Sequence, residues 1–411
     1  LAAALRSNPS LSRLLGAWLQ SCLGSGIGYV ALLVLVLRDV HTSWAVPAVL
    51  LADFVPAVAL GTSFGLLADR FSKRLLAVGA NLVQAAAWAG LVFSHSAASI
   101  IGLALLSGVG NALLRPALRS ALPIVAGEAA QAAAAWYDAC RWIGITVGPI
   151  IAAGLFAALG LALPLALNAV SFLVAAAVLA TVAVAPTPRL ERGEPNGAAG
   201  GLRSGLAVAF GAPGIAVVII TSACAVIGGG LLNVCEPLLA KSVLHGSNSD
   251  YALLVASYGA GMVAATAWVA RNAGVVARVL IHRYVDAQIL FAAGIFASAI
   301  VGSVLPAAFA FAATGFGNAL VNVSEIQLIQ LRVPGSVQGR LFGAKDTLEG
   351  AAYLIGLVGA GVLVATEGVR VTLAIAAGIC GVCGLAAAAA LRPRTPPQGL
   401  VNEAGGGGPP G

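Results

Sequence analysis

The chain has 411 residues, of which 60% are hydrophobic and only 9% charged, with a mean hydropathy of +0.98. A soluble domain carries roughly 25% charged residues, so this composition excludes a soluble enzyme, a nucleic-acid-binding protein and a disordered protein. It implies an all-α membrane protein with about twelve spans, at roughly 20 apolar residues per span plus loops.

In chain order, apolar runs bounded by charges, Pro and Gly predict twelve transmembrane helices over 13–37, 44–68, 75–94, 98–120, 131–157, 160–184, 214–240, 250–270, 286–304, 306–330, 342–365 and 370–391. Arg6 and Arg13 lead directly into the first run with no small-residue cleavage pattern, which reads as a first span and not as a removable signal peptide. The longest polar break holds Pro186, Arg189, Glu191, Arg192, Glu194 and Pro195 and separates six spans from six. The expected organisation is an N-terminal six-helix bundle over 1–184, a cytoplasmic linker over 185–213, a C-terminal six-helix bundle over 214–391, and a Pro/Gly-rich disordered tail over 392–411.

Charge sets the expected orientation. Of the 22 Lys and Arg, all but Arg38, Arg141, Lys241 and Arg370 fall on the side of the N-terminus. The positive-inside rule makes that side cytoplasmic and, with an even span count, places both termini there. The net charge of +7 is then a topology signal and not a nucleic-acid footprint. The six cysteines, including the Cys380-x-x-Cys383 pair, lie in apolar runs and read as packing residues. No metal site, cofactor motif, P-loop or nucleophile elbow is present, so no enzymatic activity is expected.

An internal repeat supports the division into halves. Gly110-Asn111-Ala112-Leu113 recurs as Gly317-Asn318-Ala319-Leu320, an offset of 207, and Asp138, Arg141 and Gly148 match Asp346, Glu349 and Gly356 at 208. Parallel six-span repeats with a substrate site between them are a transporter architecture.

Ionisable residues within spans cost roughly 2.5–3.5 kcal/mol each on insertion scales and are functional candidates by default. Asp53 lies mid-span without a cation nearby in sequence and is the leading proton carrier. Asp138 and Arg141, three residues apart, can share a helix face as a structural pair or a proton site. Glu325 and Glu349 are further proton-coupling candidates, Lys345–Glu349 reads as a helix-end salt bridge, and Glu236 as a group that reaches the outer interface by snorkelling. Tyr29, Tyr137, Tyr258, Trp136 and Trp142 are candidates for lining a cavity, although interface anchoring and core packing compete with that reading.

The segment Gly65-Leu66-Leu67-Ala68-Asp69-Arg70-Phe71-Ser72-Lys73-Arg74 resembles the loop signature of the major facilitator superfamily, G-x-x-x-D-R-x-G-R-R/K, with Ser72 for the second Gly and Lys73 for the first Arg. Gly144-x-x-x-Gly148-Pro149, followed by Gly154, looks like that family's antiporter motif, with Ala152 and Ala153 where paired glycines usually stand. Arg115-Pro116-Ala117 and Gln330-Leu331-Arg332 resemble loops of enterobactin-exporter-like and drug-efflux members, whereas the fourth-span Arg of many drug–proton antiporters is absent near Ala104.

The resemblance implies two pseudo-symmetric six-helix bundles in the cell membrane. It implies a monomer without cofactor that moves a small-molecule substrate, a drug or siderophore, outward in exchange for protons across the lipid bilayer. An importer or uniporter of a small metabolite is the alternative within transport. A non-transporting receptor or scaffold is the alternative outside it. The resemblance also implies a conformational latch in which Asp69, helped by Arg70 or Arg115 and flanked by Gly65, Lys73 and Arg74, docks on the start of span eleven, expected near Gly343.

Overall fold

The computed structural model describes residues 2–184, 198–212, 214–272 and 277–391. After a short N-terminal helix, Ala2–Ser7, the long helices are α1 (Pro9–Asp39), α2 (Ala45–Arg70), α3 (Lys73–Val92), α4 (Ala97–Ala126), α5 (Ala130–Leu159) and α6 (Ala162–Ala180). The second half holds α7 (Ile215–Leu238), α8 (Asn248–Arg271), α9 (Ala277–Ile300), α10 (Val304–Arg332), α11 (Gly335–Glu367) and α12 (Val369–Ala390).

Among the described residues, ten segments are long and apolar enough to cross a membrane. One of them, Ala97–Phe156, contains both α4 and α5, and α2 contributes a shorter apolar stretch, Ala45–Leu60.

The helix ends follow local chemistry. The Asn8 side chain accepts the Leu11 N–H at 3.0 Å, and Pro9 at the first helical position has no donor to lose. Ser247 and Asp250 form a reciprocal capping box that starts α8. Helices α5 and α11 both stop where the chain turns left-handed, at Gly160 (φ 74°) and Gly368 (φ 82°). That conformation suits glycine above all, and the two residues stand at the repeat offset of 208.

Helix boundaries differ from the sequence reading in two places. The fourth span, expected to end near 120, continues to Ala126, so the Arg115-Pro116 segment is well inside α4. Helix α11 starts at Gly335, so the N–H groups near Gly343 are already inside a helix and the free N-terminal donors belong to residues two turns earlier. The linker region holds a helix, Ala198–Gly211, whose Gly205 backbone rests on Arg340 of α11. The rest of the expected linker, and the expected tail over 392–411, lie outside the described residues.

The repeat is visible in the packing. A Cβ added to Gly148 of α5 would lie 2.6 Å from the Cα of Gly26 on α1, and one on Gly230 of α7 would lie 2.9 Å from the Cα of Gly356 on α11. Gly110 faces Ala80 and Gln84 of α3, and Gly317 faces Ala287 and Phe291 of α9. The two halves are therefore built on the same helix crossings.

At the end of the helices away from the N-terminus, one continuous apolar core joins the halves through Leu32, Val36, Val46, Leu232, Leu239 and Leu254. Ser249 of α8 donates to the Ala153 carbonyl of α5 at 3.0 Å there, and Gly361 of α11 packs on the Trp44 ring at the start of α2. At the N-terminal, basic end the cores are separate. One contains Leu14, Leu118 and Leu179 and the other Leu280, Leu320 and Leu328. The halves share one apolar core at the far end and keep separate apolar cores at the basic end.

Candidate functional site

The shared crossings align side chains of the two halves around the interface. A Cβ at Gly108 of α4 would collide with the Asp53 carbonyl of α2, and one at Gly315 of α10 with the Tyr258 carbonyl of α8. Asp53 and Tyr258 are thus structural equivalents. Their neighbours match at the offset of 207: Asn111 and Arg115 in the first half, Asn318 and Asn322 in the second.

In the second half Asn318 donates from Nδ2 to the Tyr258 hydroxyl, and Asn322 donates to Asn318 Oδ1 at 2.9 Å. In the first half Arg115 Nε donates to Asn111 Oδ1 at 3.2 Å. Asp53 is half-buried and has no hydrogen-bond or ion-pair partner among the described residues. The Arg115 charge nevertheless acts on it through space. One trio is charged and the other neutral, on a common scaffold.

Tyrosine and asparagine side chains close the space between these trios. Tyr353 of α11 meets Phe54 of α2 edge to face, with ring centroids 4.8 Å apart, and its hydroxyl accepts Nδ2–H from Asn233 of α7 at 2.9 Å. Asn233 is one helical turn before Glu236, and Phe54 adjoins Asp53. Tyr29 of α1 lies within electrostatic reach of Tyr353, Glu236, Asp53 and Tyr258. Aromatic side chains and one carboxylate from each half gather at the interface between the halves.

Glu236 departs from the sequence reading. It is only 6% exposed and does not reach the interface. Its Oε1 and the hydroxyl of the fully buried Tyr251 are without hydrogen-bond partners among the described residues. Tyr353, Asn233 and Asn318 were also missed. Their signal was the spacing of polar residues three or four apart in apolar helices, Asn233/Glu236 and Asn318/Asn322.

A second polar cluster lies deeper in the second half. Lys345 of α11 sits 2.7 Å from Glu349 and 3.5 Å from Glu325 of α10. Ser222 of α7 donates to Glu325 at 2.9 Å or to Glu349 at 3.1 Å. The expected Lys345–Glu349 bridge is present, but it lies within α11 and extends to a third charge. At the equivalent places of the first half stand Leu118, Tyr137, Trp18 and, for Glu349, Arg141. Trp18 stacks on Tyr137 at 4.5 Å and donates Nε1–H to its carbonyl at 2.8 Å.

The Asp138–Arg141 pairing does not form. Asp138 meets Arg119 of α4 at 3.5 Å, and Arg141 lies over the Trp142 ring at 5.5 Å. Arg119 and Arg141 of the first half lie within electrostatic reach of Asp346 of α11.

Of the latch residues, Gly65, Asp69 and Arg70 close α2, but their side-chain surroundings lie outside the described residues. Lys73 is buried, and Arg74 is exposed beside Ser72, Asn8 and Val184 in a cavity of about 510 Å³. Arg115 is engaged with Asn111. In the antiporter-like motif, Gly144 and Gly148 form the close α1–α5 crossing and Pro149 lies inside α5. Nothing lies within 4 Å of a Cβ at Gly154.

Residues 14–344 match the family described as the Major Facilitator Superfamily, and the chain belongs to it. Along 403 residues the chain is 25% identical to the uncharacterized MFS-type transporter YfiS of Bacillus subtilis (strain 168), covering 92% of this chain and 91% of that protein. An 87-residue stretch, 21% of each chain, is 34% identical to the uncharacterized MFS-type transporter Rv0849 of Mycobacterium tuberculosis (strain ATCC 25618 / H37Rv).

Among solved structures, a mutant of the nucleoside transporter NupG superposes with a TM-score of 0.73 at 14% identity, covering 94% of this chain and 100% of that one. A bacterial homologue of the iron transporter ferroportin in an inward-facing state gives 0.71 at 16% identity, covering 93% and 98%. The protein is a multi-pass membrane transporter of the major facilitator type, with that family's fold.

Proposed function

We propose that this transporter is a proton-coupled exporter of a small amphipathic compound, a drug or siderophore, working as a monomer in the bacterial cytoplasmic membrane with both termini in the cytoplasm. The observation that carries the reading is Asp53. It is a carboxylate without a partner among the described residues, in the middle of a spanning helix, at the interface between halves, where its structural equivalent is a neutral tyrosine. Ionisable groups in that setting mark proton relays. Arg115 supplies a cation that can hold the deprotonated form between proton uptake and release.

The surrounding Tyr29, Phe54, Tyr258 and Tyr353 present apolar rings with polar edges, which suits an amphipathic solute. The Gly144–Pro149 motif and the Arg115-Pro116 segment support export over import. Glu236 is the counterpart carboxylate from the second half. Glu325 and Glu349, held by Lys345, stand further from the lining and serve as a reserve of exchangeable charge.

In this reading the basic end is cytoplasmic, so the division between the halves opens to the cytoplasm. Closing that end brings Asp138, Arg119 and Arg141 towards Asp346, and docks Asp69 of the 65–74 latch on the first turn of α11. The test uses inside-out vesicles from cells expressing the protein, a panel of amphipathic fluorescent dyes and an imposed proton gradient. Accumulation of at least one dye that depends on the gradient and disappears in Asp53→Asn supports the reading. Gradient-independent movement, or an Asp53→Asn variant that behaves as the parent, overturns it.

A further inference from the structure

At the basic end of the second half, α8, α9 and α10 enclose a groove of about 270 Å³ lined by Trp268, Val279, His282, Arg283, Asp286 and Leu320. It lies on the outer flank of the bundle, where Trp268 is 43% and Val279 44% exposed and would face lipid. Arg283 is only 7% exposed, in the second turn of α9. Its guanidinium lies against the Trp268 ring, 4.9 Å from the centroid. It forms no hydrogen bond or ion pair with any described residue, and its Nη1 is fully buried without an acceptor.

A planar guanidinium has five N–H donors in a fork that suits phosphate oxygens. Burying it without an acceptor is costly, because desolvation is not repaid. Asp286, three residues on, is exposed and does not pair with it. Positions three apart on a helix lie about 5–6 Å apart at Cβ. The groove therefore offers a cation at its base, an anion one turn further along, and apolar walls open to the bilayer.

We propose that this groove binds a zwitterionic phospholipid of the phosphatidylethanolamine class from the leaflet at the basic end. The phosphate takes the N–H donors of Arg283, with Trp268 holding the guanidinium flat. The ammonium, two carbons away from the phosphate, meets the Asp286 carboxylate. One acyl chain lies along Val279 and Leu320. A headgroup with a phosphate alone satisfies Arg283 and leaves Asp286 facing an anion, so the pair of charges selects the amine. The site is separate from the interface between halves and stands whether or not export is proton-coupled.

Native mass spectrometry of the purified full chain, with added phosphatidylethanolamine, phosphatidylglycerol or water-soluble O-phosphoethanolamine, tests this. The parent should retain phosphatidylethanolamine in preference to phosphatidylglycerol. Arg283→Met should weaken that binding by about tenfold or more, the scale of a charge-assisted hydrogen bond. Asp286→Asn, at an exposed position that leaves the fold intact, should bring the two lipids to equal affinity.

Arg283→Met binding phosphatidylethanolamine as the parent does would overturn the proposal, as would Asp286→Asn keeping the parent's preference. Equal competition by O-phosphoethanolamine would assign the groove to a soluble ligand and overturn the lipid. If Arg283→Met does not fold, the Asp286→Asn comparison decides alone.

Discussion

Glu325 of α10 and Lys345 of α11 approach to 3.5 Å at a point where both are almost fully buried. Lys345 is the only cation of the group among the described residues; it faces both Glu325 and Glu349 and balances one carboxylate charge, while Ser222 donates to one or the other. Removing one partner of a buried ion pair leaves an uncompensated charge and typically costs about 3–5 kcal/mol. Lys345→Met should therefore lower the melting temperature in detergent sharply. Glu325→Gln, which removes a charge but keeps polar atoms for Ser222, should cost clearly less. Equal losses in thermal melts would show that the cluster is not organised around the lysine.

The glycines of the α5 motif should behave differently from one another. Gly148 touches the α1 backbone at Gly26, whereas a Cβ at Gly154 meets nothing within 4 Å. Overpacking a tight contact costs roughly 1–3 kcal/mol. Gly148→Val should reduce yield and melting temperature, and Gly154→Val should leave both near the parent. Size-exclusion profiles and thermal melts of the two variants check this directly.

The far end must part during transport if the halves rock about their interface. Ser249 and Ala153 mark the seam there, joined by a hydrogen bond of 3.0 Å. In a background with the native cysteines replaced, Ser249→Cys with Ala153→Cys should link with a short bifunctional reagent. Linked protein should lose nearly all turnover, and a reagent with a reducible bridge should restore it on reduction. Undiminished transport after complete linking would move the opening elsewhere.

Asp53→Asn should stop proton-driven movement while the protein still folds, since no described residue relies on that carboxylate for a hydrogen bond. Restoring a neutral pair in the manner of the second half, by combining Asp53→Asn with Arg115→Asn, should leave a folded protein whose residual transport no longer responds to pH. Vesicle assays at matched substrate gradients and varied pH separate the two outcomes.

The residues legible in sequence were those whose meaning is local. Asp53 stands out because any carboxylate interrupting an apolar run is conspicuous, and the repeat was readable because Gly110-Asn111 and Gly317-Asn318 mark the same helix crossing. What sequence could not provide was anything set by helices distant along the chain. Asp138 found Arg119 on the preceding helix because facing faces of α4 and α5 decide partners, not spacing within one helix. Glu236 was read as a surface group because it lies near the end of its span. It is buried because the first turns of α8, with Tyr251, pack beside it. Lys345 looked like half of a local bridge, and only the approach of α10 added Glu325.

The difference between the two halves also bears on how the chain is made. The first half has Leu118 where the second has Glu325, and Tyr137, stacked on Trp18, where the second has Lys345, so its one charge at that place is Arg141, the counterpart of Glu349. In the second half, Glu325 enters on α10 before α11 has delivered Lys345. An ionised side chain held in lipid costs roughly 2.5–3.5 kcal/mol. Synthesis of the second half must therefore keep α10 sheltered, by the insertion machinery or by the finished first half, until α11 emerges. A chain truncated between the two would leave the Glu325 carboxylate without its lysine partner.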